Sequence, residues 1–115
     1  MLQSINPFNQ EVIKEYEEHS QIDIDDIILK ADTVFQQWRQ TKFIERADLL
    51  NKAASILKNN IDIYSKIITT EMGKTLRESR AEIEKCALVC KYYAENGEKF
   101  LTSQDTKTDA TKSYV

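Results

Sequence analysis

Two periods of apolar residues run along this chain. Over the opening residues, Val12, Lys14 and Tyr16 alternate with Ile13, Glu15 and Glu17, the two-residue period of a strand. Just before them, Ser4-Ile5-Asn6-Pro7-Phe8-Asn9-Gln10-Glu11 reads as an extended segment and a turn. Pro7 fixes its own φ and drives Asn6 into extended geometry, and Asn9 suits a turn. The glutamates argue for helix, but the turn residues favour a β-hairpin. From Ile22 the period lengthens. Ile24, Ile27, Ile28, Ala31, Phe35 and Trp38 fall at i, i+3, i+4 spacing, which puts one apolar stripe on a helix. Asp23 is placed to cap it, with Asp25 and Asp26 at the positive end of its dipole.

A second helix is predicted from about Ile44 to Lys58, burying Ala47, Leu50, Ala53, Ala54 and Leu57. Thr41 is its expected cap, with Glu45 reaching back. Asn59-Asn60 breaks the pattern, and Asn60 is expected to cap a third helix carrying Ile61, Tyr64, Ile67, Ile68 and Met72. Gly73 then supplies a left-handed stop. Thr75 opens a fourth helix with Ser79, Ile83, Cys86, Ala87, Cys90 and Tyr93 along one side. Its end is expected near Asn96-Gly97, with Phe100 and Leu101 packing behind it. Thr102 to Ser113 is a polar tail, and Tyr114-Val115 are β-formers with no evident partner strand. The expected fold is mainly α: an N-terminal β-hairpin followed by about four helices.

Composition narrows the functions available. A chain of 115 residues has room for one modest core. Its two glycines, Gly73 and Gly97, and single proline permit neither a G-x-G-x-x-G turn nor a P-loop. The net charge is −3 and there is no basic block, so nucleic acid and anionic membrane are poor partners. No apolar run nears the ~20 residues that span a bilayer, and Met1 to Asn6 lacks the character of a signal peptide. A cytoplasmic location is expected.

Reactive residues are few. His19, the only histidine, lies beside Glu17 and Glu18 in a polar loop and reads as a solvated group without the partner or pocket a catalytic base needs. Cys86 and Cys90 share a helix face. With His19 they make one soft ligand too few for a closed zinc site, and mid-helix on the apolar side they read as core, not as activated thiolates. Glu78 and Glu82 are like-charged at i, i+4, a repulsion that Arg77 and Lys85 can offset by pairing. Phe35, Trp38 and Phe43 form an aromatic group at the end of the first helix, either core or a seam.

The wording of the chain is also informative. Asn6-Pro7-Phe8-Asn9-Gln10-Glu11-Val12-Ile13 resembles the N-P-a-T-G-E-v-I opening of the aldehyde dehydrogenase superfamily. The likeness continues through Phe35-Gln36-Gln37-Trp38-Arg39 and Glu45-Arg46-Ala47-Asp48-Leu49-Leu50. It sharpens at Thr70-Glu71-Met72-Gly73-Lys74-Thr75-Leu76, beside the family's T-x-E-M-G-K-P-L, and at Lys85 to Glu95. With Thr108 to Val115 added, the wording is similar to bacterial succinate-semialdehyde dehydrogenases with a short N-terminus. Gln10 stands where the family usually has glycine, and Thr75 where it usually has proline.

The resemblance implies that residues 1–115 form the N-terminal portion of the family's α/β cofactor-binding domain, with 102–115 a polar tail and the start of a bridging strand. The family oxidises an aldehyde to a carboxylic acid through a cysteine thiohemiacetal and hydride transfer to NADP or NAD. Its nucleophilic cysteine, general-base glutamate, glycine-rich turn and ribose-holding lysine match no position here. The expectation is therefore an inactive N-terminal fragment with no catalytic and no cofactor-binding residue of its own. Some members hold a structural monovalent cation with two carbonyls before the Asn-Pro and a carboxylate on the fourth helix. By register those are Ser4, Ile5 and Glu82. Helices built to pack on a larger domain would expose apolar faces, so a homo-oligomer is expected. The competing reading is a self-contained helical module that binds a protein partner.

Overall fold

The hairpin owes its geometry to a six-residue connection that hydrogen-bonds with itself. In the computed structural model, which describes residues 1–114, strands β1 (Leu2–Ile5) and β2 (Val12–Tyr16) pair antiparallel. Leu2 faces Tyr16 and Ser4 faces Lys14, and the register slips by one residue between Ser4 and Ile5, which faces Val12. Across the turn the Asn6 amide donates to the Glu11 carbonyl at 2.9 Å. The side chains of Asn6 and Asn9 accept from the amides of Phe8 (2.9 Å) and Glu11 (3.1 Å), the local bonding that makes Asn a turn residue. Gln10 takes φ +64°, a left-handed conformation that costs any side chain with a Cβ.

Helix α1 (Gln21–Trp38) starts one turn ahead of its apolar stripe. Its cap is Ser20, not Asp23. Asp23 is the third helical residue and closes a reciprocal box: its amide donates to Ser20 Oγ at 3.2 Å and its carboxylate accepts from the Ser20 amide at 2.9 Å. Helix α2 (Phe43–Asn59) likewise begins one residue later than Thr41 would require. Lys42 holds the cap position without an accepting side chain, and Glu45 reaches back to its amide at 2.7 Å.

Asn60 belongs to the end of α2 more than to the start of α3 (Ile61–Met72). Its amide and its side-chain Nδ2 both donate to the Ile56 carbonyl, at 3.1 and 2.9 Å, so its side chain does not cap α3. Gly73 ends α3 at φ +71°, as expected. A Cβ there would lie 2.9 Å from Pro7 Cγ, because the hairpin turn seats on this corner. The second tie is a hydrogen bond from Ser4 Oγ to Glu71 Oε1 at 3.1 Å.

Helix α4 (Leu76–Leu101) is longer than the sequence implies. It is capped by Thr75 in a second reciprocal box with Glu78, and it continues through Asn96-Gly97. Glycine inside a helix costs about 1 kcal/mol relative to alanine, and the helix nonetheless runs on through Glu98, Lys99, Phe100 and Leu101. Phe100 and Leu101 therefore lie within the helix and are exposed, with the Phe100 ring 5.9 Å from that of Tyr92. The tail turns back on itself: Tyr114 does have a partner, bridging antiparallel to Asp105. Val115 lies outside the described residues.

Helix α4 packs mainly on α2 and then on α3, forming a three-helix body, while α1 makes no extensive contact with any other element. Ala54, Ser65, Ser79, Ile83 and Ala87 are the buried residues among those described. Four of the five are small, so these helices meet backbone to backbone. The Thr69 and Ser79 hydroxyls bond at 2.9 Å across the α3–α4 seam. The Cα radius of gyration is 20.5 Å, where a compact domain of this length has about 13 Å.

Candidate functional site

The residues singled out for chemistry fall on three separate parts of the fold. Ser4 and Ile5 lie on β1, where the recorded side-chain bond is the one from Ser4 to Glu71. Glu82 lies on α4, and its carboxylate is paired with the Lys74 ammonium. No hydrogen bond joins Glu82 to the strand. The carboxylate proposed for a cation thus already faces one, a lysine four residues upstream of Glu78 in the connection between α3 and α4.

That connection gathers most of the charge that the sequence marked. Glu78 is held by Thr75, whose hydroxyl lies 2.9 Å from Glu78 Oε2 and whose amide lies 3.2 Å away. The hydroxyl contact first, then the amide, keeps the Glu78 carboxyl below its ordinary pKa, with Lys74 adding to the effect. Repulsion between Glu78 and Glu82 is therefore offset by Thr75 and Lys74, not by Arg77 and Lys85. Arg80 crosses to Asp62 and ties α4 to the start of α3.

The two cysteines do not share the buried face. Ser79, Ile83 and Ala87 are buried, and Cys90 is half-buried at the next turn. Cys86, one residue before Ala87, is rotated about 100° off that line and is exposed, so the core reading fails for it. Both thiols are free. His19 is exposed beside the start of α1. Its charge adds a little to the depression of the Asp23 pKa, which the Ser20 hydroxyl and then the Ser20 amide chiefly cause. No group of three or more His, Cys, Asp or Glu gathers among the described residues.

The described residues offer no glycine-rich turn of the kind that holds a dinucleotide. Pyrophosphate is held by open helix N-termini and glycine-rich turns. Here the cap-residue amides of α1, α2 and α4 (Ser20, Lys42 and Thr75) donate to the chain's own carboxylates, Asp23, Glu45 and Glu78. Gly73 sits at a helix C-terminus, whose carbonyls repel anions, and Gly97 is inside α4.

The residue that sequence reasoning passed over is Arg46. Its guanidinium donates to Thr41 Oγ1 at 2.8 Å and to the carbonyls of Trp38 and Thr41 at 3.1 and 3.2 Å. It also stands 5.6 Å from the Trp38 ring centroid and 5.7 Å from that of Phe43, within cation–π range of both. It closes the last turn of α1 onto the first turn of α2. The usable signal was an arginine three residues after one aromatic and eight after another, beside orphan helix-end carbonyls.

The whole of this arrangement has counterparts among known proteins. The structure superposes with a TM-score of 0.89 on a succinic semialdehyde dehydrogenase from Streptococcus pyogenes solved with NADP+, at 31% identity over 97% of this chain and 25% of that one. In sequence it is 36% identical over 112 residues to a probable NADP+ succinate-semialdehyde dehydrogenase of Synechocystis, covering 97% of this chain. It is 38% identical over 109 residues to succinate-semialdehyde dehydrogenase [NADP(+)] 1 of Mycobacterium tuberculosis. The chain spans about a quarter of the length of these relatives (25% and 23%). No described helix is long and apolar enough to cross a membrane. The aldehyde dehydrogenase family profile matches residues 1 to 115, and this chain, in which sequence and fold agree over nearly every residue, belongs to the aldehyde dehydrogenase family.

Proposed function

We propose that these residues serve as the supporting quarter of an NADP-dependent succinate-semialdehyde dehydrogenase: they carry its fold and none of its chemistry. The observation that carries this reading is the match of nearly the whole chain to about a quarter of each of several relatives named for that activity. Aldehyde oxidation by this family's route needs a nucleophile with an activating base, a donor for the developing oxyanion and a cofactor seat at once. Cys86 is exposed on a helix flank, Cys90 is half-buried, and His19 is in another part of the fold. None of them has the second group that each role requires.

What these residues do is hold positions. The Thr75 box and the Lys74–Glu82 pair fix the α3–α4 corner. Pro7 against Gly73 and Ser4 against Glu71 seat the hairpin on it. Residues 102–115 serve as the lead-in to a bridging strand. Purified chain mixed with succinate semialdehyde and NADP+ is expected to form no reduced cofactor above the enzyme-free blank. Sustained turnover that co-purifies with the chain would overturn this reading.

A further inference from the structure

We infer that Cys86 and Cys90, one turn apart on α4, form a chelating site for a single soft cation of the Cu(I) class, held by two thiolates and no third side chain. The site lies within one helix and rests on its spacing and donor set, not on the family reading above.

Spacing decides between the two things a pair of free thiols can do. Both thiols are unbonded, and α4 runs unbroken from Leu76 to Leu101, so helical spacing holds across residues 86–90. Residues four apart on a helix have Cβ atoms about 5–6 Å from each other. A disulfide requires about 3.5–4.5 Å between those atoms, so α4 would have to distort to close one. A metal–thiolate bond is about 2.3 Å long, and two of them end to end place their sulfurs up to about 4.6 Å apart. Each sulfur is one rotatable bond beyond its Cβ, so a choice of rotamer reaches that span with the backbone unmoved. The helix as it stands suits an ion between the sulfurs better than a bond between them.

The surroundings fix the class of ion. Cys86 is exposed and Cys90 is half-buried, which gives an ion entry from solvent and a partly dry seat. Glu82, one turn ahead of Cys86, is taken by Lys74. No group of three or more His, Cys, Asp or Glu gathers among the described residues. Structural zinc needs four ligands, and calcium and magnesium need oxygens. Thiolate donors alone select Cu(I), an ion that accepts two ligands. Two thiolates and one monovalent ion carry one net negative charge, and Lys85 and Lys91 bracket the pair in sequence to offset it. On binding, each thiol releases its proton to the buffer and two S–Cu bonds replace the ion's solvent ligands. No electron is transferred.

The test is an oxygen-free titration of the reduced 115-residue chain with Cu(I), supplied as its acetonitrile complex, against bicinchoninate as a coloured competing chelator. One ion per chain is expected, with native mass spectrometry showing one chain and one ion. Cys86→Ser should weaken binding by about a hundredfold or more, because the second thiolate of the pair attaches at the high effective concentration of a linked group. Cys86 is exposed, so helix content by circular dichroism should not change. A second variant keeps two thiols and moves one. Leu88→Cys combined with Cys86→Ser alters two exposed positions and leaves the thiols two residues apart, where side chains do not face each other. It should bind as weakly as Cys86→Ser alone. Binding by that variant as tight as the parent's, an ion that bridges two chains, or a parent that takes no copper from the competitor would each overturn the inference. Mild oxidation of the parent checks the geometry separately, and no disulfide within one chain is expected while α4 stays helical. Rapid closure of one with helix content intact would show that the sulfurs stand closer than an ion requires, and the chelate would be the wrong reading.

Discussion

Gln10 and Gly73 meet the same backbone demand with opposite chemistry. Both take left-handed φ, +64° and +71°, but only glycine does so without a Cβ in the way. Gln10 recovers part of the cost by donating from its side chain to the Pro7 carbonyl at 3.1 Å. Left-handed geometry costs a non-glycine residue about 1–2 kcal/mol, and a new glycine also frees the unfolded chain. Gln10→Gly is accordingly expected to stabilise by a net ~0.5–1 kcal/mol. Gly73→Ala should destabilise by more than about 1 kcal/mol, since the added methyl would meet both the φ penalty and Pro7. Urea melts of the two variants beside the parent check both signs, and an indifferent Gly73→Ala would remove the argument that the hairpin seats there. The glycine stop was legible because only one residue type does that job well. The seat of Pro7 on Gly73 was not, because positions 66 residues apart leave no local signal of contact.

At the scale of the element, periodicity carried more than capping did. All four helices and the hairpin lie where the apolar period places them. The caps at Ser20 and Lys42 each differ from the expected residue: at α1 two residues able to cap, Ser20 and Asp23, lie within one turn, and at α2 the cap position falls one residue past Thr41, on a lysine that no propensity would pick. A pattern of side chains does not say which amide comes first. The α4 terminus was missed for the opposite reason. Asn-Gly is a stop signal only when the chain must turn, and here it runs on for another turn.

The two boxes also set a pH dependence. Asp23 and Glu78 both have folded pKa values below their ordinary ones, held there by Ser20 and Thr75. A carboxyl depressed on folding contributes stability that is complete above the ordinary carboxylate pKa of about 4 and disappears as pH falls through the lower, folded value. Helix content should therefore hold from neutral pH down to about pH 5 and then decline. Thr75→Ala should remove the part of that acid transition due to Glu78. Circular dichroism against pH, parent beside variant, reads the difference, and superimposable acid limbs would show that the α4 box does not contribute.

On the scale of the molecule, the family was legible early, because the wording of several spaced segments survives in order even where single positions such as Gln10 and Thr75 depart from it. The candidate cation residues Ser4, Ile5 and Glu82 were placed by that register alone; in the structure Glu82 pairs with Lys74. Arg46 was not foreseen, since its partners are mostly main-chain carbonyls, which no residue type announces. Cys86 was misplaced because a stripe three residues wide on paper is narrower when the neighbouring helix approaches this closely.

The small-residue seam of Ala54, Ser65, Ser79 and Ala87 has a thermodynamic consequence. Denaturation brings into water only surface that was dry beforehand, and here the fully dry groups, Ile83 apart, are methyls and hydroxyls, while Leu50 and Leu57 are only half covered. The heat-capacity increment and the urea m-value both scale with that newly wetted area. For the isolated chain the m-value should thus fall near the bottom of the ~1–3 kcal/mol/M range typical of small proteins. A steep, sharply cooperative melt would mean that the chain has found another way to keep its large side chains dry. Left alone, it should melt gradually, as a scaffold whose insulation belongs to something else.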